Sequence, residues 1–250
     1  MQTDEPVTTD RTAVAESAPT QVAAWWHLAG FLLIMAGTAF MGFRAQHAST
    51  GAAGSEQLAP HGQAISIYLV AGLMDWALLY YCWVGVHKRG GTLATLSGGR
   101  WTSWKSLASD VAIAVPFFGV WEGTAYAVHW MLGPSSAKSV DSLLPHSLVE
   151  VLLWIGVSIT AGFCEELAFR GYLQRQFHAL SGSIVVAVVA QALVFGVAHS
   201  YQGWKSVLVI SVLGVLYGML AAWRGNLRAN IISHASSDIW EGWLKQIIWR

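Results

Sequence analysis

Residues 147–180 read SLVEVLLWIGVSITAGFCEELAFRGYLQRQFHAL and begin with a long apolar run. A helix needs about twenty apolar residues to cross the hydrocarbon core of a bilayer, so this stretch predicts a membrane helix that starts near Ser147. Similar runs precede and follow it, and the last stretch of the chain is moderately apolar and predicts a final membrane helix or half-helix. The sequence therefore predicts an all-α, polytopic transmembrane bundle of about seven to eight helices, the others at 23–43, 65–86, 107–132, 183–199, 206–223 and 227–250.

The composition agrees with a membrane protein. Of 250 residues, 54% are hydrophobic and 11% are charged, whereas about a quarter of the residues in a soluble domain are charged. The 14 Trp are typical of a chain with two membrane–water interfaces. The net charge is zero, which disfavours a nucleic-acid-binding protein. Cys82 and Cys164 both lie inside apolar runs, so they are interpreted as buried residues and not as a disulfide framework.

The chain divides into three parts by composition. Residues 1–22 are polar, carry both signs of charge and predict a disordered tail. Residues 23–142 are expected to form the N-terminal membrane helices, and residues 143–250 the functional core. Loops are expected at 44–64, 87–106 and 133–146. Because Lys and Arg are enriched in cytosolic loops, the basic loop 87–106 favours a cytosolic N-terminus.

Ionisable residues inside membrane helices are costly, and each one is a functional candidate. Asp75, Glu122 and His129 are isolated in the N-terminal half and are interpreted as interhelical or interfacial contacts. Glu166 and Arg170 are four residues apart, and such a spacing predicts an ion pair on one helix face. Glu165 is rotated by about 100° from Glu166 and is left without a cation, which suits a general base. The alternative is a structural ion cluster of all three residues.

Two further pairs have the same spacing of four. Phe195 and His199 lie in LVFGVAHSYQG, and His234 and Asp238 lie in RANIISHASSDIW. In the second pair the carboxylate could orient the imidazole; a lone histidine at a helix end is also common at an interface.

The depths of these residues in the membrane agree only in part. At a rise of 1.5 Å per residue, Glu165 lies about 22 Å from the end of its helix if that helix continues to Leu180. His199 lies about 24 Å from Ser183 by the same rise, whereas His234 is only about 9 Å from Arg228. The sequence permits this longer fourth helix, which would stop before Gly182, whereas a helix that ended at Arg170 would place Glu165 near one interface. The depth of His234 is unexplained.

The ordered motifs Glu-Glu-x-x-x-Arg, Phe-x-x-x-His and His-x-x-x-Asp resemble those of the CAAX prenyl endopeptidase and bacteriocin-processing family of intramembrane proteases. The resemblance covers residues 143–238. It implies that Glu165 and His199 activate the attacking water and that Glu166 and Arg170 form a structural pair. It further implies that His234 and Asp238 lie at the developing oxyanion. Asp238 stands where family members often have Asn, so it is either protonated or instead orients His234.

The resemblance implies an intramembrane glutamate-dependent endopeptidase that acts on a peptide or protein substrate in the membrane. A prokaryotic plasma membrane is the expected location. Glu165, His199 and His234 are also a three-ligand set that zinc accepts, but the chain has no H-E-x-x-H motif, so a divalent metal stays an open alternative. The other functional hypotheses are a non-catalytic immunity or scaffold protein and a proton-coupled carrier.

Overall fold

A computed structural model of the chain describes residues 20–50, 61–133 and 144–244, and every regular element in these ranges is helical. The all-α prediction is confirmed. The predicted tail 1–22 lies almost wholly outside the described residues. The helices are α1 (Trp25–Thr50), α2 (His61–His87), α3 (Leu93–Ser97), α4 (Trp104–Leu132), α5 (Leu148–Ser181), α6 (Ile184–Ala198), α7 (Trp204–Arg224) and α8 (Arg228–Ile239).

Five of the described helices are long and apolar enough to cross a membrane. The spans lie in α1, α2, α4, α5 and α7. Helix α6 is a shorter apolar helix of 15 residues. Their outer faces expose large apolar side chains, among them Leu33, Leu73 and Trp130, which a lipid environment accommodates without cost. The chain is therefore an integral membrane protein.

The boundaries of the N-terminal helices differ from those predicted. Helix α1 continues to Thr50 and α2 begins at His61, so the predicted loop 44–64 is shorter than expected. The predicted loop 87–106 contains α3, which begins at a capping box of Thr92 and Thr95 and ends at Gly98 in a left-handed conformation. These caps provide hydrogen-bond partners for the backbone groups at the two ends of α3. A search for apolar runs does not detect such a short capped helix. Most of the predicted loop 133–146 lies outside the described residues.

Helix α5 is the central element of the site. It runs from Leu148 to Ser181, the longer of the two alternatives, and ends at Gly182, whose φ of 67° places it in the left-handed region. Its middle part, Glu166–Leu173, is a π-helical segment in which every residue is buried. Such segments are rare and are frequent at functional sites. The sequence predicted an uninterrupted α-helix, because the apolar pattern carries no sign of the wider turns.

The start of α8 accounts for the depth of His234. The Leu227 N–H donates to the Ser97 carbonyl at 2.9 Å, and a Cβ added at Gly171 would lie 3.2 Å from the Leu227 side chain. Gly171 precedes the end of α5 by ten residues, or about 15 Å. Helix α8 thus begins beside the middle of α5, and His234, a further 9 Å or so along it, reaches the level of Glu165.

A buried carboxylate fixes this arrangement. Asp110 of α4 is fully buried and pairs with Arg224 at 2.9 Å and Arg228 at 2.8 Å. It also accepts a hydrogen bond from the Trp101 indole at 3.0 Å. Arg224 is the last residue of α7 and Arg228 the first of α8. The cluster therefore joins α4 to the turn that sets the entry of α8.

We expect Gly162→Leu to separate α5 from α8. A Cβ added at Gly162 would lie 2.7 Å from the Ala235 backbone nitrogen, and backbone cannot yield as a side-chain tip does. Overpacking of this kind costs about 1–3 kcal/mol, so the melting temperature in detergent should fall by several degrees and the site should lose its geometry. Gly156→Leu is the control on the same helix, since nothing lies within 4 Å of its added Cβ. Equal melting of the two variants would refute this account of the α5–α8 contact.

Candidate active site

Glu166 is the anchor of the site. It is fully buried and accepts hydrogen bonds from Arg170 at 2.8 Å, from the Asn230 amide at 3.1 Å and from His234 Nδ1 at 2.9 Å. These donors come from its own helix and from α8. A carboxylate without water needs such donors to remain charged, and Glu166 has three. Its two oxygens therefore connect α5 rigidly to α8.

Arg170 is enclosed by aromatic rings as well as by its ion pair with Glu166. Its guanidinium carbon lies 4.4 Å from the Phe195 ring centre and 5.2 Å from that of Tyr217. Within the described part of the chain, its Nε and Nη2 have no hydrogen-bond partner. The faces of the two rings take the place of those partners, since a desolvated cation is attracted by an aromatic face. The predicted pair exists in the structure, and the rings make it a packing unit.

His234 is held by Glu166. With Nδ1 bonded to that carboxylate, Nε2 lies 3.7 Å from Glu165 and 3.8 Å from Asp238, and the Tyr217 ring stacks on the imidazole at 5.3 Å. The sequence analysis named Asp238 as a group that could orient His234. The structure gives the hydrogen bond at Nδ1 to Glu166, and Asp238 is too distant to form one with Nε2.

Glu165 has a different environment from its neighbour. Its side chain is 16% exposed, against 0% for Glu166. Among the described residues, its only ionic contact is the one with His234, and it accepts no hydrogen bond there. A carboxylate in this state has its lone pairs available for a water or a substrate. The two adjacent glutamates thus differ: the Glu166 carboxylate is hydrogen-bonded within the protein, and the Glu165 carboxylate can accept hydrogen bonds from a ligand.

His199 lies at the C-terminal end of α6, not within the helix. Its Nδ1 is 2.8 Å from the Phe195 carbonyl oxygen. Because a carbonyl can only accept, Nδ1 carries the hydrogen, and Nε2 of the neutral ring is left as the acceptor. The Phe195 ring contacts His199 edge-on at 4.8 Å and His234 at 6.1 Å. Phe195 therefore lies between the two histidines and fixes their spacing.

Three groups of the site were missed by the sequence analysis. Asn230 precedes His234 by one helical turn, and this spacing was the available signal. Tyr217 lies in an apolar run and gave no signal. Asp75 was interpreted as an isolated contact; it lies on α2 beside α5, next to Trp76, whose ring is 6.0 Å from that of Phe163. It is the one acidic residue of α2, and this marked it as a candidate, but the sequence has no partner at helical spacing that would connect it to the motifs.

The three residues of the alternative zinc set lie on α5, at the end of α6 and on α8. Within residues 20–50, 61–133 and 144–244, no group of three or more His, Cys, Asp or Glu side chains is placed so that it could hold a metal ion. Glu165, His199 and His234 are therefore not assembled as a ligand set here.

Helices α5 to α8, which carry the motif residues, are similar to a known protein family. Residues 147–240 match the family model described as type II CAAX prenyl endopeptidase Rce1-like. We call this stretch the Rce1-like segment because it resembles that family. The expected resemblance is confirmed, and the matched segment contains all seven residues of the three motifs: Glu165, Glu166, Arg170, Phe195, His199, His234 and Asp238.

The Rce1-like segment comprises α5 to α8. Helices α1 to α4, including Asp75 of α2, lie outside it. No curated protein and no solved structure matches the chain. The family is one of peptidases, and its model falls here on helices of an integral membrane protein.

Proposed function

We propose that the protein is an intramembrane, glutamate-dependent endopeptidase in which Glu165 and His199 activate a water molecule. The observation that carries this proposal is the contrast between two adjacent carboxyl groups. Glu166 is saturated by three donors, while Glu165 faces an imidazole and retains free lone pairs. A general base must be available to the proton that it removes.

In the proposed reaction, Glu165 takes a proton from the water as the water oxygen bonds to the scissile carbonyl carbon. His199 accepts the second hydrogen bond of that water through Nε2, since Nδ1 is committed to the Phe195 carbonyl. The tetrahedral intermediate then collapses with loss of the C–N bond, and the proton held by Glu165 passes to the leaving nitrogen. Atoms and charge balance without any other reactant.

His234 is proposed to stabilise the oxyanion. Its Nδ1 donates to Glu166, so the imidazolium form presents an Nε2–H that can donate to the negative oxygen. Asp238 lies 3.8 Å from this nitrogen and, in its protonated form, would supply a second donor. This assigns to Asp238 the place that Asn has in many members of the resembled family.

The proposed substrate is a peptide bond near a membrane-embedded C-terminus or within a small membrane peptide. The matched family is described by prenylated CAAX substrates, and this chain need not share the prenyl requirement. A prokaryotic plasma membrane with a cytosolic N-terminus is the proposed setting. The basic residues between α2 and α4, among them Lys88, Arg89, Arg100 and Lys105, support that orientation.

Comparative mass spectrometry of membrane peptides tests the proposal. Cells with the wild-type protein should accumulate cleavage products that are absent from cells with Glu165→Ala at equal expression. A scaffold or immunity role predicts the same peptides and the same phenotype from both. A proton-coupled carrier predicts instead pH-dependent flux in liposomes without new peptide ends. Identical peptide inventories would reject the peptidase.

A further inference from the structure

The group of charged residues around Asp110 holds more positive charge than its single carboxylate neutralises. We call it the Asp110 cluster and define it as Arg100, Trp101, Asp110, Arg224 and Arg228. Arg224 Nη2 and Arg228 Nε pair with the same carboxylate at 2.9 and 2.8 Å. Arg228 Nη1 also donates to the Arg100 carbonyl oxygen at 3.1 Å, and the Arg100 side chain is exposed. Three arginines and one aspartate therefore leave the cluster with a net positive charge.

The cluster lies where two membrane-spanning helices reach the membrane surface. The α4 span begins at Trp104 and the α7 span ends at Arg224, so both meet the same membrane–water interface beside Asp110. Trp101, Trp104 and Trp223 are exposed here by 43%, 75% and 72%, and exposed indoles are typical of the level of the lipid headgroups. A headgroup at this level can contact the two paired arginines, because their side chains remain partly exposed.

The cluster also contains more hydrogen-bond donors than acceptors. A guanidinium group has several N–H donors and no acceptor, and Asp110 additionally accepts from the Trp101 indole at 3.0 Å. Among the described residues, the Nε of Arg224 has no hydrogen-bond partner. A phosphate group supplies both the negative charge and the acceptor oxygens that two guanidinium groups can bind. Charge and hydrogen bonding thus favour the same kind of ligand.

We propose that the Asp110 cluster binds the phosphate of an anionic phospholipid from the membrane leaflet at this end of the bundle. The net positive charge favours an anionic headgroup over a zwitterionic one, and the exposed indoles beside the arginines favour a lipid over a free phosphate ion. A bound headgroup would contact α7 and α8 together, at the turn that sets the entry of α8. The inference does not depend on the proposed peptidase function, since none of the motif residues belongs to the cluster.

The test measures the binding of fluorescently labelled phosphatidylglycerol to the full-length protein in a neutral detergent. Unlabelled phosphatidylglycerol, phosphatidylcholine and inorganic phosphate are the competitors. The variants are Arg100→Glu and Arg224→Gln, each checked by thermal melting. Arg100→Glu leaves the pairs of Asp110 in place, because Arg228 bonds to the backbone carbonyl at position 100 and not to its side chain. It therefore decides the question if Arg224→Gln does not fold.

Arg44→Glu is the matched control at the other end of the bundle. A Cβ added at Gly42 would lie 2.9 Å from the Tyr201 backbone nitrogen, and α7 begins shortly afterwards at Trp204. Arg44 is therefore near the end of α7 that is opposite Arg224. Its side chain is exposed, so the control introduces the same change of charge at a distant surface.

Each Lys or Arg beside an anionic lipid surface contributes about fivefold to binding. Phosphatidylglycerol should therefore displace the label at a concentration about tenfold or more below that of phosphatidylcholine, and Arg100→Glu should weaken its binding about tenfold or more. Arg44→Glu should change the affinity by less than about twofold. Equal displacement by the two lipids, or an unchanged affinity in Arg100→Glu, would overturn the inference. Displacement by inorganic phosphate as effective as that by phosphatidylglycerol would overturn it too, since the ligand would then be a free anion.

Discussion

Replacement of Glu165 by Gln is expected to lower kcat/KM by about 10²–10⁴-fold, the range for loss of a general base. The amide keeps the shape of the side chain but cannot take a proton from water. Because Glu165 accepts no hydrogen bond from the described residues, the fold should not depend on its charge. The measurement is steady-state cleavage of a peptide identified as a substrate, with thermal melting of the same preparation.

Glu166→Gln is the matched control at the next position. Glu166 accepts from Arg170, Asn230 and His234, so loss of its charge should lower the melting temperature as well as the activity. The expected result is an inactive, stable protein for position 165 and a destabilised one for position 166. Equal loss of stability in the two variants would contradict the division of roles between the two glutamates.

Arg170→Ala is expected to destabilise the protein by about 3–5 kcal/mol, the cost of leaving a buried charge without its partner. The variant also opens a cavity between the Phe195 and Tyr217 rings. For a chain of this size such a loss corresponds to a fall of about 10 °C or more in the melting temperature. Scanning fluorimetry in detergent measures it directly.

Arg175→Ala provides the comparison one turn later in the same helix. Arg175 is half-buried and donates to the Thr95 carbonyl at 2.7 Å, and loss of that bond should cost no more than about 1.5–3 kcal/mol. The double variant Glu166→Gln with Arg170→Met should recover stability, because both buried charges are then absent. It should not recover activity, since His234 loses its charged anchor. A melting temperature of Arg170→Ala within a degree of the wild type would disprove the role of the pair.

The sequence was sufficient to predict the helices and the three motif pairs, because both depend on local spacing. Apolar runs of bilayer length set the limits of α5 and α7 within a few residues, and the i,i+4 rule predicted the contact of Glu166 with Arg170. The end of α5 at Gly182 followed from the absence of a helix breaker before it. These features need no knowledge of which helices pack together.

Contacts between helices could not be predicted in the same way. The depth of α8 depends on the bond from Leu227 to Ser97 and on the Asp110 pairs, both between segments distant in the sequence. The proximity of Asn230 to Glu166 follows from that depth. Asp75 approaches the site because aromatic contacts align α2 with α5. The packing of side chains between helices determines these contacts, and the apolar pattern of each helix alone does not predict that packing.

The central claim is that Glu165 and His199 act on one water as a single unit. A double-mutant cycle with Glu165→Gln, His199→Ala and the combined variant measures this coupling in kcat/KM. Residues that act as a unit show strongly non-additive losses, so the combined variant should be no more than about tenfold slower than the worse single variant. Losses that multiply, or a single variant with wild-type activity, would contradict the account.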